Sequence, residues 1–469
     1  MSYRPTIGLE IHAELSTRTK MFCACANDPE EREPNVNICP VCLAHPGTLP
    51  TINEEAVRHV LRVGQALGGT LADFTEFDRK SYFYPDIPKG YQISQYEHPL
   101  VAGGFLNGIA VTRIHLEEDT ARSSHAEGES LVDFNRAGVP LMELVTEPDI
   151  QDAKTASDFA KELQLLLRTL GASHANLEKG EMRVEANVSV SKTDTYGTKV
   201  EVKNLNSFRS VERAILYEID RQVAALENGE VIVQETRGWD ESAQKTFRQR
   251  SKEGSADYRY FPEPDLPKLR ISTIPGLSKE EIARSLPELP WARRSRYESL
   301  GLSAADAAYL SSTIERGVFF DKAAAIAGND TALLKLATNY IISDVGGWYA
   351  KRDVAEFDTL TPDAFIALIR MAKDGEISSR GAKDALAVLL EEGGEPTEIV
   401  QRLGLAQVSD KESIRAAVLA VLEEHAGPAS EYKAGKETAL QFLVGQAMKA
   451  TKGAGNPAVI REVLVEELS

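Results

Sequence analysis

The segment TIGLEIHAE, residues 6–14, decides how the first half of the chain folds. Apolar and polar residues alternate in it, with Ile7 and Ile11 on one side and Glu10 and His12 on the other. A period of two is typical of a β-strand with one buried face. The same alternation recurs in VTRIHLEED (111–119), RVEANVSV (183–190) and KVEVKN (199–204). Amphipathic helices are predicted between these strands, at residues 154–170 and 207–228.

The composition of the chain changes near residue 290. Short alternating segments with Pro- and Gly-rich loops precede it, while Ala, Leu, Glu and Lys at helical spacing follow it. Helix start signals occur at Ser303, Thr361 and Asn456. The sequence therefore predicts an α+β protein with a mixed-sheet domain (1–292), a helical domain (293–407) and a small helical tail domain (408–469).

Composition bounds the class of protein. The chain has 469 residues, 42% of them hydrophobic, and a formal charge of −18. Its longest apolar stretches are too short for a membrane span, and MSYRPTIGLE has no secretory-signal pattern. With only four Cys, the chain is expected to be cytoplasmic. The acidity argues against general nucleic-acid binding, because affinity for phosphates comes from Lys and Arg.

All four cysteines lie within twenty positions, as Cys23-Ala-Cys25 and Cys39-Pro-Val-Cys42. Two short cysteine pairs of this kind are typical of a structural Zn²⁺ site with four sulfur ligands. Two disulfides, a CxxC redox pair and an iron–sulfur cluster are the alternatives. The sequence favours zinc, because the loop between the pairs is too polar to pack without a metal.

Carboxylate and imidazole groups share the polar faces of two predicted strands. Glu10 and His12 lie on one, and His115 and Glu117 on another. Such a set suits Mg²⁺ that is also held by nucleotide phosphates, although any one of these residues alone is more typical of a solvated surface. The sequence contains no GxxxxGK[ST], HExxH or GxSxG motif. Any use of ATP is therefore expected on a carboxylate–metal face of the sheet.

Long motifs of the chain resemble the B subunits of aspartyl/glutamyl-tRNA amidotransferases, from about residue 6 to about residue 467. They are IGLEIHAEL, FDRKSYFYPDIPKGYQISQYEHP (77–99), RIHLEEDTARSSH (113–125), SLVDFNRAGVPLMELVTEPD (130–149), EVKNLNSFRSVERAI (201–215), DYRYFPEPDLP (257–267) and FLVGQAMKATKGAGNP (442–457). The cysteine pairs resemble those of the zinc-bearing members.

The resemblance implies a function in a heterotrimer with a glutaminase (amidase-family) A subunit and a small C subunit. The B subunit would bind tRNA mischarged with aspartate or glutamate and phosphorylate the side-chain carboxylate with ATP. Ammonia from the A subunit would then displace phosphate and give Asn-tRNA or Gln-tRNA. The resemblance also implies a sheet domain similar to the catalytic part of glutamine synthetase.

The same resemblance implies roles for individual residues. Glu10 and His12 match the metal-binding segment of the family, and a third ligand matches Glu118, which we favour, or Glu117. A bend after Leu116 would bring Glu118 to the face that regular alternation gives to Glu117. Further candidates on polar strand faces are Glu185 and Asn187 for metal or ATP contacts, and Arg183 and Lys203 for phosphate charge.

The tail is the predicted tRNA contact. Between Lys433 and Arg461 there are five basic residues and one acidic residue. The candidate phosphate contacts are Lys433, Lys436, Lys449 and Lys452, with a solvated helix face as the alternative. Two rival functions stay open at this point. One is a tRNA-binding adaptor without catalysis, and the other is a free-standing carboxylate–amine ligase that acts on a small molecule.

The aromatic-rich segment Tyr82-Phe83-Tyr84-Pro85, with Tyr91-Gln92, is expected to pack in the core or to line a channel for ammonia.

Overall fold

The computed structural model describes residues 2–28, 30–126, 128–251, 258–352, 356–407, 410–451 and 455–469. The chain divides into two compact units, Met1–Pro290 and Trp291–Ser469. The first unit thus ends two residues before residue 292, the expected end of the mixed-sheet domain. The first unit contains the strands and the second is helical, so the α+β class is confirmed.

The strands all belong to the first unit. They are β1 (Arg4–Glu14), β2 (Thr70–Leu71), β3 (Phe74–Thr75), β4 (Asp78–Ser81), β5 (Tyr91–Ser94), β6 (Val101–Ala102), β7 (Phe105–Leu106), β8 (Ile109–Glu118), β9 (Arg122–Ala126), β10 (Glu129–Asp133), β11 (Pro140–Thr146), β12 (Met182–Ser191), β13 (Val200–Leu205), β14 (Glu235–Asp240), β15 (Lys245–Ser251), β16 (Phe261–Pro262) and β17 (Leu269–Arg270).

Helices flank the strands and make up the second unit. They are α1 (Glu54–Ala66), α2 (Ala153–Thr169), α3 (Phe208–Glu227), α4 (Lys279–Arg284), α5 (Pro290–Ser299), α6 (Ala304–Leu310), α7 (Ile314–Ala327), α8 (Thr331–Tyr340), α9 (Gly346–Tyr349), α10 (Pro362–Lys373), α11 (Ser379–Glu392), α12 (Pro396–Leu403), α13 (Lys411–Glu424), α14 (Ala426–Lys433), α15 (Glu437–Ala450) and α16 (Pro457–Leu468). A 3₁₀ turn (Ile271–Thr273) and a π-helical turn (Ile341–Val345) complete the set.

One large mixed sheet organises the first unit, in the order β15-β14-β13-β12-β1-β11-β8-β5-β4-β16. β13 and β14 run parallel, whereas β1 pairs antiparallel with both β11 and β12. Strand β1 therefore lies near the middle of the sheet, with β11 and β8 on one side and β12 and β13 on the other. This order brings the four predicted alternating strands into one sheet.

The two faces of the sheet differ as the alternation predicts. Ile7, Leu9 and Ile11 of β1 are at most 1% exposed. Helix α2 packs against β1 and α3 packs against β12, with Phe159 of α2 fully buried. Burial of apolar area on this side stabilises the unit at roughly 25 cal/mol per Å². The opposite face is left to the polar side chains of the same strands.

The second unit holds two hydrophobic clusters, one formed within residues 297–400 and the other within residues 414–468. The predicted helix starts are present. Ser303, Thr361 and Asn456 each accept a hydrogen bond from a backbone N–H in the first turn of the helix that follows. The division of this unit at residue 407 stays a prediction.

Candidate active site

A row of polar side chains crosses four adjacent strands on the polar face of the sheet, the face opposite Ile7, Leu9 and Ile11. In the strand register, His12 of β1 lies opposite Arg183 of β12 and opposite Glu143 of β11. Glu143 in turn lies opposite His115 of β8. Directly paired residues share a face of the sheet, so these side chains are neighbours because of the register.

His12 is the centre of this group. Its Nε2 atom lies 3.3 Å from Glu143 Oε2, 3.4 Å from Glu117 Oε1 and 4.0 Å from Glu10 Oε1. His115 Nε2 lies 3.6 Å from the same oxygen of Glu143. We call Glu10, His12, His115, Glu117 and Glu143 the carboxylate–histidine cluster. It is held by strands rather than loops, which fixes its geometry.

Burial and crowding perturb the titration of the cluster. Burial, with the nearby Glu143 carboxylate, raises the pKa of Glu10 to about 7. Burial opposes a charge on His12, but hydrogen bonds to Glu117 and Glu143 raise its pKa well above the usual value. Burial opposes ionisation of Glu143 as well, yet His115 and His12 lower its pKa. Burial lowers the pKa of His115. Such opposed shifts are typical of functional sites.

The ligand atoms of the cluster fit a divalent cation. Oxygen and nitrogen atoms of Glu10, His12 and Glu143 lie within 4.8 Å of one another, and so do those of His115, Glu117 and Glu143. Carboxylate oxygens with one imidazole suit Mg²⁺ or Mn²⁺. Burial and the Glu143 carboxylate raise the pKa of Glu10, and a cation here would offset both causes.

Sequence reasoning missed Glu143. It lies in PLMELVT, the segment that forms β11, whose other residues are mostly buried and apolar. A single Glu in an otherwise apolar strand is the one feature of the sequence that could have indicated a site residue. Its partners follow from the pairing register of β11 with β1 and β8, which the sequence does not give. Glu201 was also missed as a site residue; it forms a third group of possible ligands with Glu10 and Glu185.

The structure corrects the expected position of Glu118. Strand β8 continues without a bend through Leu116, so Glu117 faces His12. Glu118 points to the other side, where it pairs with Lys89 at 2.5 Å and accepts a hydrogen bond from the backbone N–H of Ile93 at 2.9 Å. Glu118 does not join Glu10 and His12.

The remaining sheet candidates extend the polar face across β12 and β13. Glu185 lies opposite Glu10, and Asn187 lies opposite Glu201. Lys203 Nζ is 2.8 Å from Glu185 Oε2 and 3.9 Å from Glu201 Oε1. Although burial disfavours its charge, these carboxylates raise the pKa of Lys203. Lys203 is therefore a charged lysine beside the cluster.

Arg183 lies at the edge of the cluster on β12. Its Nη2 atom donates a hydrogen bond to Asp119 Oδ2 at 2.7 Å. Burial and the neighbouring Asp119 carboxylate raise the pKa of Glu14, which follows His12 on the same face, to about 8. Arg183 thus places a cationic group opposite His12, two residues along β12 from Glu185, which pairs with Lys203.

Aromatic rings and a lysine lie at the β4–β5 end of the face. Burial opposes the charge of Lys80, but Glu117 and Tyr260 raise its pKa. The Tyr260 ring stacks on Tyr96, with centroids 4.1 Å apart. Phe83 is 80% exposed and Tyr84 is 53% exposed, so neither packs in the core. The alternative, that the segment lines a channel for ammonia, stays a prediction.

The four cysteine sulfurs lie within 4.8 Å of one another, as tetrahedral coordination of one ion requires. The backbone N–H of Cys39 donates to Cys42 Sγ at 3.1 Å, and Lys20 Nζ lies 3.9 Å from the same sulfur. With a hydrogen bond from Cys23 as the largest cause, these contacts lower the pKa of the Cys42 thiol to about 5. This set of thiols is compatible with structural zinc.

The loop between the cysteine pairs is tied to the hairpin of β9 and β10. The backbone N–H of Asn35 donates to Asp133 Oδ1 at 3.1 Å. Asn135 Nδ2 donates to the carbonyl oxygen of Glu33 at 2.7 Å. The loop is therefore held by these hydrogen bonds as well as by the cysteine pairs at its two ends.

Among the described tail lysines, Lys433, Lys436 and Lys449 are exposed but do not form one patch. Lys433 ends α14, and Lys436 precedes α15 and pairs with Glu431 at 2.8 Å. Lys449 lies in the last turn of α15, about 20 Å along the helix from Lys436. Lys452 lies outside the described residues.

These features define the class of protein: an α+β chain with a first unit that carries a carboxylate–histidine cluster and a four-cysteine cluster, and a second unit that is helical. Comparison with known proteins then gives the family. Residues 5–274 match the GatB/GatE catalytic domain, and residues 319–468 match the GatB domain. The chain belongs to the GatB/GatE family.

Curated relatives match over nearly their whole length. The B subunit of the aspartyl/glutamyl-tRNA(Asn/Gln) amidotransferase from Thermus thermophilus is 45% identical over 472 residues, which cover 99% of each chain. The B subunit of the same enzyme from Crocosphaera subtropica is 42% identical over 495 residues, covering 99% of this chain and 97% of the relative. In the described ranges, no helix is both long and apolar enough to cross a membrane.

Proposed function

We propose that this chain is the B subunit of a glutamine-dependent tRNA amidotransferase. It binds tRNA mischarged with aspartate or glutamate, activates the side-chain carboxylate by phosphorylation with ATP, and amidates it with ammonia. The observation that carries the proposal is the position of His12 between Glu117 and Glu143 on a strand-built face. An adaptor that only binds tRNA would not require these crowded, buried acids.

Glu10, His12 and Glu143, with Glu117 and His115 adjacent, are the residues that would hold Mg²⁺. When bound, the cation supplies charge that neutralises phosphate oxygens and orients the phosphoryl group. Glu185 and Asn187 extend the same polar face and are further candidates for contact with metal or ATP. We assign Glu117 rather than Glu118 to the metal site, because Glu118 forms an ion pair with Lys89.

The cations around the cluster would act on the reactants. A carboxylate does not react with ammonia until one of its oxygens becomes a good leaving group, and an acyl phosphate provides that group. Arg183, opposite His12, and Lys203, beside Glu185, would bind and orient phosphate oxygens. The buried surroundings of the cluster would exclude water, which otherwise competes with ammonia.

The chain requires partners for its ammonia. Its four cysteines lie in one cluster, so none is separate as a nucleophile for glutamine hydrolysis. A glutaminase A subunit and a small C subunit would complete a heterotrimer in the cytoplasm. Zinc bound by Cys23, Cys25, Cys39 and Cys42 would have a structural role.

Reconstitution tests the proposed function. The chain is mixed with A and C subunits, mischarged Asp-tRNA or Glu-tRNA, ATP and glutamine, and the amino acid released from the tRNA is identified. We expect asparagine or glutamine, formed only when ATP is present. Release of unchanged aspartate and glutamate would contradict the proposal, and ATP-dependent amidation of a free amino acid would favour the free-standing ligase.

Deletion of residues 408–469 tests the tail as the tRNA contact. We expect the KM for mischarged tRNA to rise by about 10-fold or more, because exposed lysines bind phosphates through charge. The KM for ATP should change little. An unchanged KM for tRNA would show that the contact lies elsewhere. Lys433→Ala and Lys436→Ala, compared with Lys449→Ala, separate the two ends of α15.

Glu117 and Glu118 provide a matched pair for the metal site. We expect Glu117→Gln to weaken Mn²⁺ binding, followed by the spin-resonance signal of free Mn²⁺, by about 10-fold or more. Glu118→Gln should leave Mn²⁺ affinity unchanged and lower thermal stability, since it leaves the partly buried Lys89 without its partner. The reverse pattern would restore Glu118 as the ligand.

A further inference from the structure

Asp119 follows β8 directly and is 4% exposed. Its Oδ1 atom accepts a hydrogen bond from the backbone N–H of Thr120 at 2.8 Å. Its Oδ2 atom lies 2.7 Å from Arg183 Nη2 and 3.5 Å from Arg136 Nε. Arg136 is fixed in turn, because its Nε donates to the carbonyl oxygen of Thr120 at 3.2 Å. The carboxylate is therefore held in one position from several sides.

The two partners in this ion pair differ in exposure. The side chain of Asp119 is 3% exposed, whereas that of Arg183 is 34% exposed. Among the described residues, only Nη2 of Arg183 has a hydrogen-bond partner, so Nε and Nη1 are available to an anion. In this pair the carboxylate of Asp119 is buried, and the guanidinium of Arg183 is partly exposed.

The position of Arg183 relates this pair to the carboxylate–histidine cluster. Its Cα lies opposite that of His12 in the register, so both side chains lie on the polar face of the sheet. An arginine guanidinium stays protonated in proteins, and here its Nη2 atom lies 2.7 Å from Asp119 Oδ2. The guanidinium is therefore charged and lies within electrostatic range of the cluster.

We infer that Asp119 is a positioning residue for the proposed reaction: it holds the Arg183 guanidinium at the edge of the cluster, where Nε and Nη1 bind a phosphate oxygen of ATP. The inference rests on the proposed function and deepens it. Asp119 does not touch the reactants. It limits the many rotamers of a long side chain, so that the planar donors of the guanidinium are in place before the nucleotide binds.

A purely structural role for the pair makes a different prediction. An ion pair that only stabilises the fold would change thermal stability when it is broken, and would leave the KM for ATP of the folded enzyme unchanged. If Asp119 positions Arg183, its substitution changes the KM for ATP. It should then affect activity only when a guanidinium group is present, either on Arg183 or as an added ion. The experiment uses this difference.

The test uses the reconstituted heterotrimer with Arg183→Ala, Asp119→Asn and the double variant. We expect Arg183→Ala to lower kcat/KM for ATP by about 100-fold. Asp119→Asn should lower it by about 10-fold, with KM for mischarged tRNA unchanged. Free guanidinium chloride at millimolar concentration should restore part of the activity of Arg183→Ala, because Asp119 binds the added ion. The double variant should not respond.

Arg4→Ala is the matched control, since Arg4 pairs with the exposed Asp194. It should match the wild type with and without guanidinium. Equal rescue of the single and double variants would overturn the role of Asp119. A changed KM for tRNA with an unchanged KM for ATP would overturn the phosphate assignment. If the wild-type complex forms no amidated tRNA, the proposed function itself fails, which separates the two outcomes.

Discussion

Glu10→Gln should reduce ATP-dependent amidation of mischarged tRNA by about 1000-fold, because an amide cannot supply the negative charge that a phosphate-bound cation needs. Glu10 lies 4.0 Å from His12 and opposite Glu185, so the substitution removes a ligand oxygen from the middle of the site. The measurement is the rate of Gln-tRNA or Asn-tRNA formation by the heterotrimer under saturating ATP.

A second readout excludes misfolding as the cause. Burial and the nearby Glu143 carboxylate raise the pKa of Glu10, so Glu10→Gln should not lower the melting temperature measured without added Mg²⁺ and without chelator. Glutamine hydrolysis by the A subunit should also persist. The control is Glu230→Gln, an exposed residue beyond α3, with wild-type rates. Normal amidation by Glu10→Gln would remove Glu10 from the mechanism.

Cys42→Ser should release zinc and destabilise the first unit by at least about 3 kcal/mol, because a loop without regular structure depends on its metal for folding. Cys42 is the buried cysteine, and fully buried Lys20 lies beside its sulfur, where its charge would offset that of the thiolates. Metal analysis of protein purified without chelator, together with chemical denaturation, measures both effects.

The wild type should contain about one zinc per chain, and Cys42→Ser less than half of that. His45→Ala is the control, since His45 is close in sequence but is not needed once four cysteines bind. It should keep the metal. A wild-type content below one-half zinc per chain would contradict the zinc assignment, and so would full retention of zinc by Cys42→Ser.

Much of the sheet could be predicted from period-two alternation. The expected strand at 6–14 is β1, and Ile7 and Glu10 lie on the faces that the pattern predicts. Helix starts at Ser303 and Asn456 followed from local capping chemistry. These features depend on neighbours in sequence, so the sequence alone is sufficient for them.

Other features depend on contacts between distant residues. Glu143 was missed because only the antiparallel register of β1 and β11 brings it opposite His12. The choice between Glu117 and Glu118 depended on whether β8 bends. A shift of one residue along a strand moves each side chain to the opposite face of the sheet. The distance between Lys436 and Lys449 likewise follows from α15 being one continuous helix.

Transfer of oxygen from the substrate to phosphate tests the central claim most directly. Glu-tRNA labelled with ¹⁸O in the side-chain carboxylate is converted by the heterotrimer with ATP and glutamine, and the inorganic phosphate is analysed by mass spectrometry. If this sheet face phosphorylates the carboxylate, each phosphate released in amidation carries one ¹⁸O atom from the substrate. Formation of Gln-tRNA with unlabelled phosphate would contradict the account.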